Sequence, residues 1–243
     1  MYHSLIIGSK NTWADWYLIP SSRPTIAMPE VKTHIVDIPG ADWHLDLSTA
    51  LTGDVAYGSR TGSIEFIVDN GQLSNYDHKK WHKVYSDIAN YIHGRLLDVT
   101  LEDDPSFYYT GRLKLNEWKS EAHNSKVTID YDLSPYKLEK FSSLEPWHWD
   151  TFNFETGIIR NYKDLKVDGE LELVIIGRRM AVTPSFEVKS SDGKGMKVAF
   201  EGKTYTLPDG THRVVNIRTV EGDNELTITG NGTISIEYRG GCL

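Results

Sequence analysis

The stretch that decides the fold reads Asn11-Thr-Trp-Ala-Asp-Trp-Tyr-Leu-Ile-Pro20, then Val36-Asp-Ile-Pro-Gly-Ala-Asp-Trp-His-Leu-Asp46, then Tyr57-Gly-Ser-Arg60. Aromatic residues alternate here with Pro and Gly in short pieces, which favours extended chain and turns over helix. Pro20, Pro24, Pro29 and Pro39 fall within twenty residues, and because proline cannot donate a hydrogen bond to a sheet, this segment is expected to be loops and edge strands. The stretch contains no nucleophile motif, metal cluster or phosphate loop. It therefore predicts a rigid, β-rich surface built for contact.

Composition excludes several classes of function. The chain has 243 residues with 11% aromatic content and seven Trp, which argues against disorder. Its formal charge of −8 and lack of basic runs argue against nucleic-acid binding as its main role. The single Cys242 excludes an internal disulfide framework. No secretion signal and no apolar run long enough to span a bilayer are visible, so we expect folding in a cytoplasm and no membrane partner.

The first half predicts strands around one helix. Apolar residues at intervals of three and four between Tyr76 and His93 predict an amphipathic helix that ends at Gly94. Asp69-Asn-Gly71 predicts a tight turn before it. Burial of both apolar faces favours a sheet that closes around the helix. The predicted strands are Leu5–Ile7, Ile64–Val68, Leu97–Leu101, Phe107–Trp118 and Val127–Tyr131.

The second half predicts an antiparallel β-sandwich, with a domain boundary near Phe141. Turn signals recur at Asp168-Gly169, Asp192-Gly193, Asp209-Gly210 and Gly230-Asn-Gly232, and the last of these is expected to be a hairpin tip. The predicted strands are Leu171–Ile176, Ser185–Val188, Lys197–Phe200, Val214–Arg218, Leu226–Thr229 and Ile234–Tyr238.

Residues that could carry chemistry are few. His78 and His82 have a spacing that can chelate zinc, but no third ligand is evident and exposed helix histidines are the simpler interpretation. Acidic pairs such as Asp103-Asp104 and Asp130 with Asp132 are expected by chance among 34 acidic residues. We therefore predict no catalytic residue, no metal, no cofactor and no enzymatic activity.

Trp147-His148-Trp149 is the most suggestive local cluster. Indole rings can stack on sugars, and a β-sandwich commonly carries such a site. The favoured alternative is that these side chains fill the junction between the two halves, because the cluster directly follows the linker.

Two ends of the chain carry a family resemblance. The N-terminal stretch quoted above resembles distal tail proteins of long-tailed, non-contractile phages. The closing Gly230-Asn-Gly-Thr-Ile-Ser-Ile-Glu-Tyr-Arg-Gly-Gly-Cys-Leu243 resembles the last strand of many tail proteins of phages and prophages of Gram-positive hosts, so the chain as a whole resembles a distal tail protein of such a phage or prophage. The resemblance implies a β-barrel-like belt domain with one helix and a hairpin over residues 1–140. It implies a galectin-like β-sandwich over residues 141–243. The galectin sugar-binding pattern itself is not found there.

The resemblance further implies a hexameric ring that joins the tail tube to the baseplate or host-adsorption apparatus. Implied partners are the tail tube protein, a tail-associated tip protein and a receptor-binding protein, with assembly in the host bacterial cytoplasm and a final place in the virion tail. Because the chain is acidic, we expect the cations to lie at subunit contacts, and Arg60 and Arg112 are the candidates. The alternative function is a carbohydrate-binding β-sandwich that recognises a host surface.

Overall fold

The computed structural model describes residues 3–68, 78–119, 125–146 and 160–243. These residues are mainly β-strand, and the predicted fold class is confirmed. The chain forms two compact units, which divide between Lys137 and Leu138. Each unit has its own apolar core.

The first unit is built on an antiparallel sheet with the strand order β2-β1-β9-β10-β11-β8-β3. All five strands predicted for this half are present, and several are longer than expected. The elements are β1 (Leu5–Ile7), β2 (Lys10–Asn11), α1 (Thr12–Trp16), β3 (Leu18–Pro20), β4 (Val31–Lys32), β5 (Ile35–Val36), β6 (Leu45–Asp46), β7 (Ala56–Tyr57), β8 (Arg60–Val68), α2 (His78–Ile92), β9 (Leu96–Leu101), β10 (Phe107–Lys119) and β11 (Lys126–Leu133).

Helix α2 packs its apolar face into the core of this sheet, as its periodicity predicted. Trp81, Ile88 and Ile92 are buried in the same cluster as the inward side chains of the strands. Gly94 ends the helix with a positive φ, and its N–H donates to the carbonyl of Leu113. The turn predicted at residues 69–71 lies outside the described residues.

The expectation that residues 11–20 are wholly extended was wrong. The side chain of Asn11 accepts hydrogen bonds from the N–H groups of Trp13 and Ala14, which starts the short helix α1. Tyr17 ends it in the left-handed region. Trp16 is thereby turned into the core, where its ring lies 5.6 Å from that of Tyr91.

The second unit is an antiparallel sheet organised around one long strand. Strand β13 pairs along its whole length with residues 222–234 of β18, and the other side of β18 pairs with β15 and then with β14. The last element of the unit pairs with the first. The elements are β12 (Lys137–Glu139, shared with the first unit), β13 (Leu165–Gly177), β14 (Ser185–Ser190), β15 (Met196–Phe200), β16 (Lys203–Leu207), β17 (Gly210–Arg213), β18 (Gly222–Glu237) and β19 (Gly241–Cys242).

Two predictions in this half were wrong. Gly230-Asn-Gly232 is not a hairpin tip but the middle of β18, and Asp168-Gly169 faces it in the middle of β13. Gly230 and Gly232 have φ values of 149° and 141°, a region that other residues rarely adopt. A Cβ on Gly232 would also lie 2.2 Å from the carbonyl oxygen of Lys189. The glycines therefore bend a continuous strand at the point where its partner changes from β15 to β14.

The second error concerns Val214–Arg218, which is a turn rather than a strand. The N–H of Ile217 donates to the carbonyl of Val214, and Ile217 is fully buried. The apolar residues of this segment therefore mark one anchored turn. Strand β16, in contrast, was not predicted. It follows the hairpin turn Glu201-Gly202, and its sequence is mostly polar with little alternation of apolar residues.

A buried ionic network holds residues 238–241, at the C-terminus of the second unit, in place. The carboxylate of Glu139 accepts hydrogen bonds from Arg160, from Arg178 and from the N–H of Gly240. Arg160 also lies over the ring of Tyr238, 4.8 Å from its centroid. A Cβ at Gly240 would lie 2.8 Å from the Glu139 carboxylate, so this position requires glycine. The network ties β12, at the start of the unit, to its last residues.

The same network determines how the second unit responds to pH. Burial alone would raise the pKa of Glu139, but attraction to Arg160 and hydrogen bonds from both arginines lower it below its ordinary value. A carboxyl group whose pKa is lowered by folding stabilises the folded state above its unfolded pKa. That stability is lost as the pH falls through the folded pKa.

We predict that a fragment of residues 138–243 is more stable than a fragment of residues 142–243. The shorter fragment lacks Glu139, so Arg160 remains buried without its counter-charge, which costs about 3 kcal/mol. Urea unfolding followed by circular dichroism measures the difference.

The control is Glu139→Gln in the longer fragment, which should reproduce most of the loss at neutral pH. Acidification should reduce the difference in unfolding free energy between the unaltered longer fragment and its Glu139→Gln variant, because the carboxylate of Glu139 is then protonated. Equal stability of the two fragments at neutral pH would contradict this role for Glu139.

Candidate assembly surface

A long excursion between β3 and β8 is the most exposed part of the first unit. We call residues 28–57 the arm. From Glu30 to Gly53 no side chain is buried, and only His44 and Ser48 are partly covered. The arm nevertheless carries nine large apolar side chains, with Leu51 99% exposed and Trp43 75% exposed. These nine are Met28, Val31, Ile35, Val36, Ile38, Trp43, Leu45, Leu47 and Leu51.

The arm keeps its shape through hydrogen bonds within itself. Strand β4 pairs with β7, and β5 pairs with β6. Between these pairs, the N–H of His34 donates to Ser48 Oγ and the N–H of Leu47 donates to the His34 carbonyl. An isolated two-stranded hairpin is marginally stable in water, so an apolar hairpin of this kind gains stability when a partner covers it.

The arm is also strongly acidic. It contains five acidic residues and one lysine, a net formal charge of −4, which is half the charge of the whole chain. The charged side chains alternate with the apolar ones along the same exposed segment. A partner surface that fits the arm must therefore be apolar and basic.

The root of the arm is fixed by a buried arginine. Arg60 is 1% exposed, and its guanidinium donates to the carbonyls of Ala27, at 2.8 Å, and Pro135, at 2.7 Å. It also lies over the ring of Tyr109, 5.4 Å from the centroid. Burial lowers the pKa of Arg60, and in the described part of the chain its charge meets carbonyls and aromatic rings rather than a carboxylate. This arrangement holds Ala27, the residue before the arm, against the sheet.

Tyr131, on the neighbouring strand β11, also binds Ala27. The N–H of Ala27 donates to Tyr131 Oη at 3.0 Å, so both main-chain polar groups of Ala27 are bound by side chains from the sheet. A Cβ at Gly62 would lie 2.4 Å from that hydroxyl, so the tyrosine occupies space that only glycine leaves free. The two ends of the arm are joined by a hydrogen bond from the N–H of Gly58 to the carbonyl of Glu30.

The two arginines predicted as subunit contacts occupy different environments. Arg60 is enclosed in its own unit, so its side chain positions the arm and does not itself reach a surface. Arg112 is exposed on β10, where it donates one hydrogen bond to the Gly94 carbonyl at 2.7 Å. As a subunit contact, Arg112 remains a prediction.

Most of the other candidate residues are not among those that the structure describes. Trp147, His148 and Trp149 lie outside the described residues, and so does the side chain of His78. His82 is exposed and meets the edge of Trp118.

The acidic pairs serve separate contacts within the first unit. Asp103 accepts from Arg23, Asp104 accepts from Lys137, and the Asn116 amide donates to Asp130. Asp130 and Asp132 both line a surface groove of about 320 Å³, together with Arg112 and Lys114.

The sequence predicted a contact surface in the N-terminal stretch but did not single out the arm as an element. The available signal was the run of apolar residues after Pro29 that fits neither a helical nor a strict strand period. Arg60 gave no signal of burial, because its partners are backbone carbonyls distant in sequence.

No transmembrane helix is found in the described part of the chain: none of its helices has the length and hydrophobicity that a bilayer requires. No protein-family profile and no curated protein sequence matches the chain. Among solved structures, the chain is similar to the crystal structure of the SPP1 Dit (gp 19.1) protein, described as a paradigm of the hub adsorption apparatus in phages that infect Gram-positive bacteria. The two share 10% sequence identity with a TM-score of 0.61, and the match covers 100% of each chain. The protein thus has the fold of a phage tail hub protein along its whole length.

Proposed function

We propose that the protein is a structural component of a phage tail tip, which assembles through its arm into a hexameric ring between the tail tube and the host-adsorption apparatus. The observation that carries this proposal is the exposed apolar arm, in a chain with the fold of a tail hub protein. The tail tube protein, a tail-associated tip protein and a receptor-binding protein are its proposed partners in the virion tail.

The exposed apolar side chains of the arm are unfavourable in a protein that works as a monomer. Contiguous apolar surface of this kind marks an interaction site. Covering one large apolar side chain contributes roughly 1.5–3 kcal/mol when burial is complete. Complete burial of all nine side chains would contribute an amount comparable to or larger than the roughly 4–15 kcal/mol that association costs.

A ring is favoured by the form of this surface. In the proposed ring the arm contacts a different surface on its neighbour, which makes the contact heterologous. Heterologous contacts close into rings when the rotation between copies allows it. A ring at the centre of the tail tip fits the description of the SPP1 protein as a paradigm of a hub adsorption apparatus.

The sugar-binding alternative is not carried further. Its motive was the Trp147–Trp149 cluster, which lies outside the described residues. An enzymatic role likewise has no positive support, and Asp103, Asp104 and Asp130 each bind a neighbouring side chain of the first unit.

We predict that the full chain forms a particle of about six times its 27.6 kDa mass, and that replacing residues 31–57 with an Asn-Gly turn yields a monomer. The replacement removes most of the exposed apolar side chains, and the Gly58-to-Glu30 hydrogen bond already brings the two ends together. Light scattering and electron microscopy measure the mass and shape.

The fold serves as the control, because the shortened chain should keep its circular dichroism spectrum and a similar melting temperature. A wild-type chain that stays monomeric at all concentrations, even with tail tube protein present, would count against the proposed function.

We also predict that Tyr131→Phe weakens assembly by more than its effect on stability suggests. The change removes the acceptor for the Ala27 N–H, worth about 1 kcal/mol, and loosens the root of the arm. The concentration for half-assembly should rise several-fold, and amide hydrogen exchange at residues 27–32 should accelerate.

Tyr162→Phe is the matched control. Tyr162 is a similarly buried tyrosine of the second unit whose hydroxyl donates to the Val174 carbonyl. Its loss should lower stability by a similar amount and leave assembly unchanged. If both variants assemble equally well, the Ala27 anchor has no positioning role.

A further inference from the structure

The segment through which the chain leaves the first unit is bound to the root of the arm. We call residues 134–137 the exit segment, because the first unit ends at Lys137. Arg60 Nε donates to the carbonyl of Pro135 at 2.7 Å, and Arg60 Nη1 donates to the carbonyl of Ala27 at 2.8 Å. One guanidinium therefore bridges the exit segment and the residue that precedes the arm.

A second contact joins the other end of the arm to the same segment. Tyr57, the last residue of the arm, packs its ring against the ring of Tyr136, with the centroids 5.8 Å apart and the planes at 83°. Aromatic pairs favour this edge-to-face arrangement. Both ends of the arm are thus linked to the exit segment, at Ala27 through Arg60 and at Tyr57 directly.

The exit segment is also bound to the sheet at its two ends. The N–H of Ser134 donates to the carbonyl of Thr110 at 2.8 Å. Lys137 Nζ donates to Asp104 Oδ2 at 2.7 Å. The sheet therefore holds the ends of the segment, while its middle two residues contact the root of the arm.

The bridge through Arg60 transmits displacement because it is rigid and buried. A guanidinium is planar and holds its N–H groups in fixed directions, so a shift of one carbonyl moves the group relative to the other. Arg60 is 1% exposed, and a carbonyl that moves away leaves a buried N–H unpaired, which is costly. Motion at Ala27 and motion at Pro135 are therefore energetically linked.

We infer that the arm and the exit segment open and close together, so that a neighbouring copy that covers the arm also orders the segment through which the chain enters the second unit. The coupling itself belongs to the single chain, and its response to a neighbouring copy rests on the proposed function. Such coupling is reciprocal: a partner that fixes the arm lowers the population of the open exit segment, and an ordered exit segment favours the arm direction that the partner binds. Assembly then changes the order of residues that the partner need not touch.

Hydrogen exchange of the full-length chain tests the coupling. The variant is Ala27→Gly, a change at an exposed residue that frees the backbone at the root of the arm. Amide exchange at residues 134–138 reports how often the exit segment opens. The matched control is Ala50→Gly, the same change at an exposed residue of the arm, in the turn where the Ala50 N–H donates to the Leu47 carbonyl.

In dilute, unassembled protein, Ala27→Gly should accelerate exchange at the exit segment about threefold, because glycine favours the open root. Ala50→Gly should leave that exchange unchanged, and exchange in helix α2 should be the same in all chains. The effect of Ala27→Gly should disappear in an Arg60→Met background, where an apolar side chain replaces the bridge. Assembly of the wild type should slow exchange at the exit segment about tenfold.

The outcomes separate this inference from the proposed function. Equal exchange at the exit segment in the Ala27→Gly and Ala50→Gly chains would overturn the coupling, and this comparison decides the point even if Arg60→Met does not fold. Assembly that leaves this exchange unchanged would overturn the response to a neighbouring copy, while the particle mass would still support the proposed function. A wild type that never assembles would remove the proposed function and that response together, and the glycine comparison would still decide the coupling in the single chain.

Discussion

A positive charge that is buried without a carboxylate partner, among the residues that the structure describes, fixes the point in the first unit at which the arm begins. Arg60 could have been replaced by an apolar residue if filling the core were its purpose, since burying a guanidinium is costly. Its two carbonyl partners instead come from residues 27 and 135, on either side of the sheet strand that carries it. The hydrogen bond from the buried guanidinium thus fixes the direction of the chain at Ala27. An apolar hairpin held in one direction loses less entropy on binding than a mobile one.

The second unit uses a buried charge for a different purpose. Glu139 is paired with Arg160 and Arg178, and it binds the backbone of Gly240 as well. The closing Tyr238-Arg239-Gly240-Gly241 motif follows from this network: the tyrosine ring supports Arg160, and Gly240 leaves room for the carboxylate. Gly241 similarly lies against Met180, where a Cβ would be 2.8 Å from the nearest side-chain atom. The motif that carries the family resemblance is therefore a requirement of closing the fold.

The helix and most strands could be predicted because they obey local periodicity. Helix α2 shows apolar residues every three or four positions, and β11 alternates buried and exposed residues along its length. Failures occurred where a distant partner overrides the local pattern. Gly230 and Gly232 signal a turn in isolation, but continuous pairing with β13 keeps the chain extended through them. The role of Arg60 was unpredictable for the same reason, since backbone carbonyls leave no side-chain signature in the sequence.

Some features of this chain close its fold and others lie on its surface. The difference matters for what a structural similarity at 10% sequence identity can show. Motifs such as Tyr238-Arg-Gly-Gly preserve a fold whatever the protein does, so they identify architecture. The arm has the opposite character, since it contributes almost nothing to either core and exposes its apolar side chains to water. Such a segment is disadvantageous in an isolated chain, because it invites non-specific association. Its cost is offset only if a complementary surface covers it, and that surface must be apolar and basic. The function of this protein is therefore expressed in the arm and in whatever surface covers it, rather than in the motifs by which its fold is recognised.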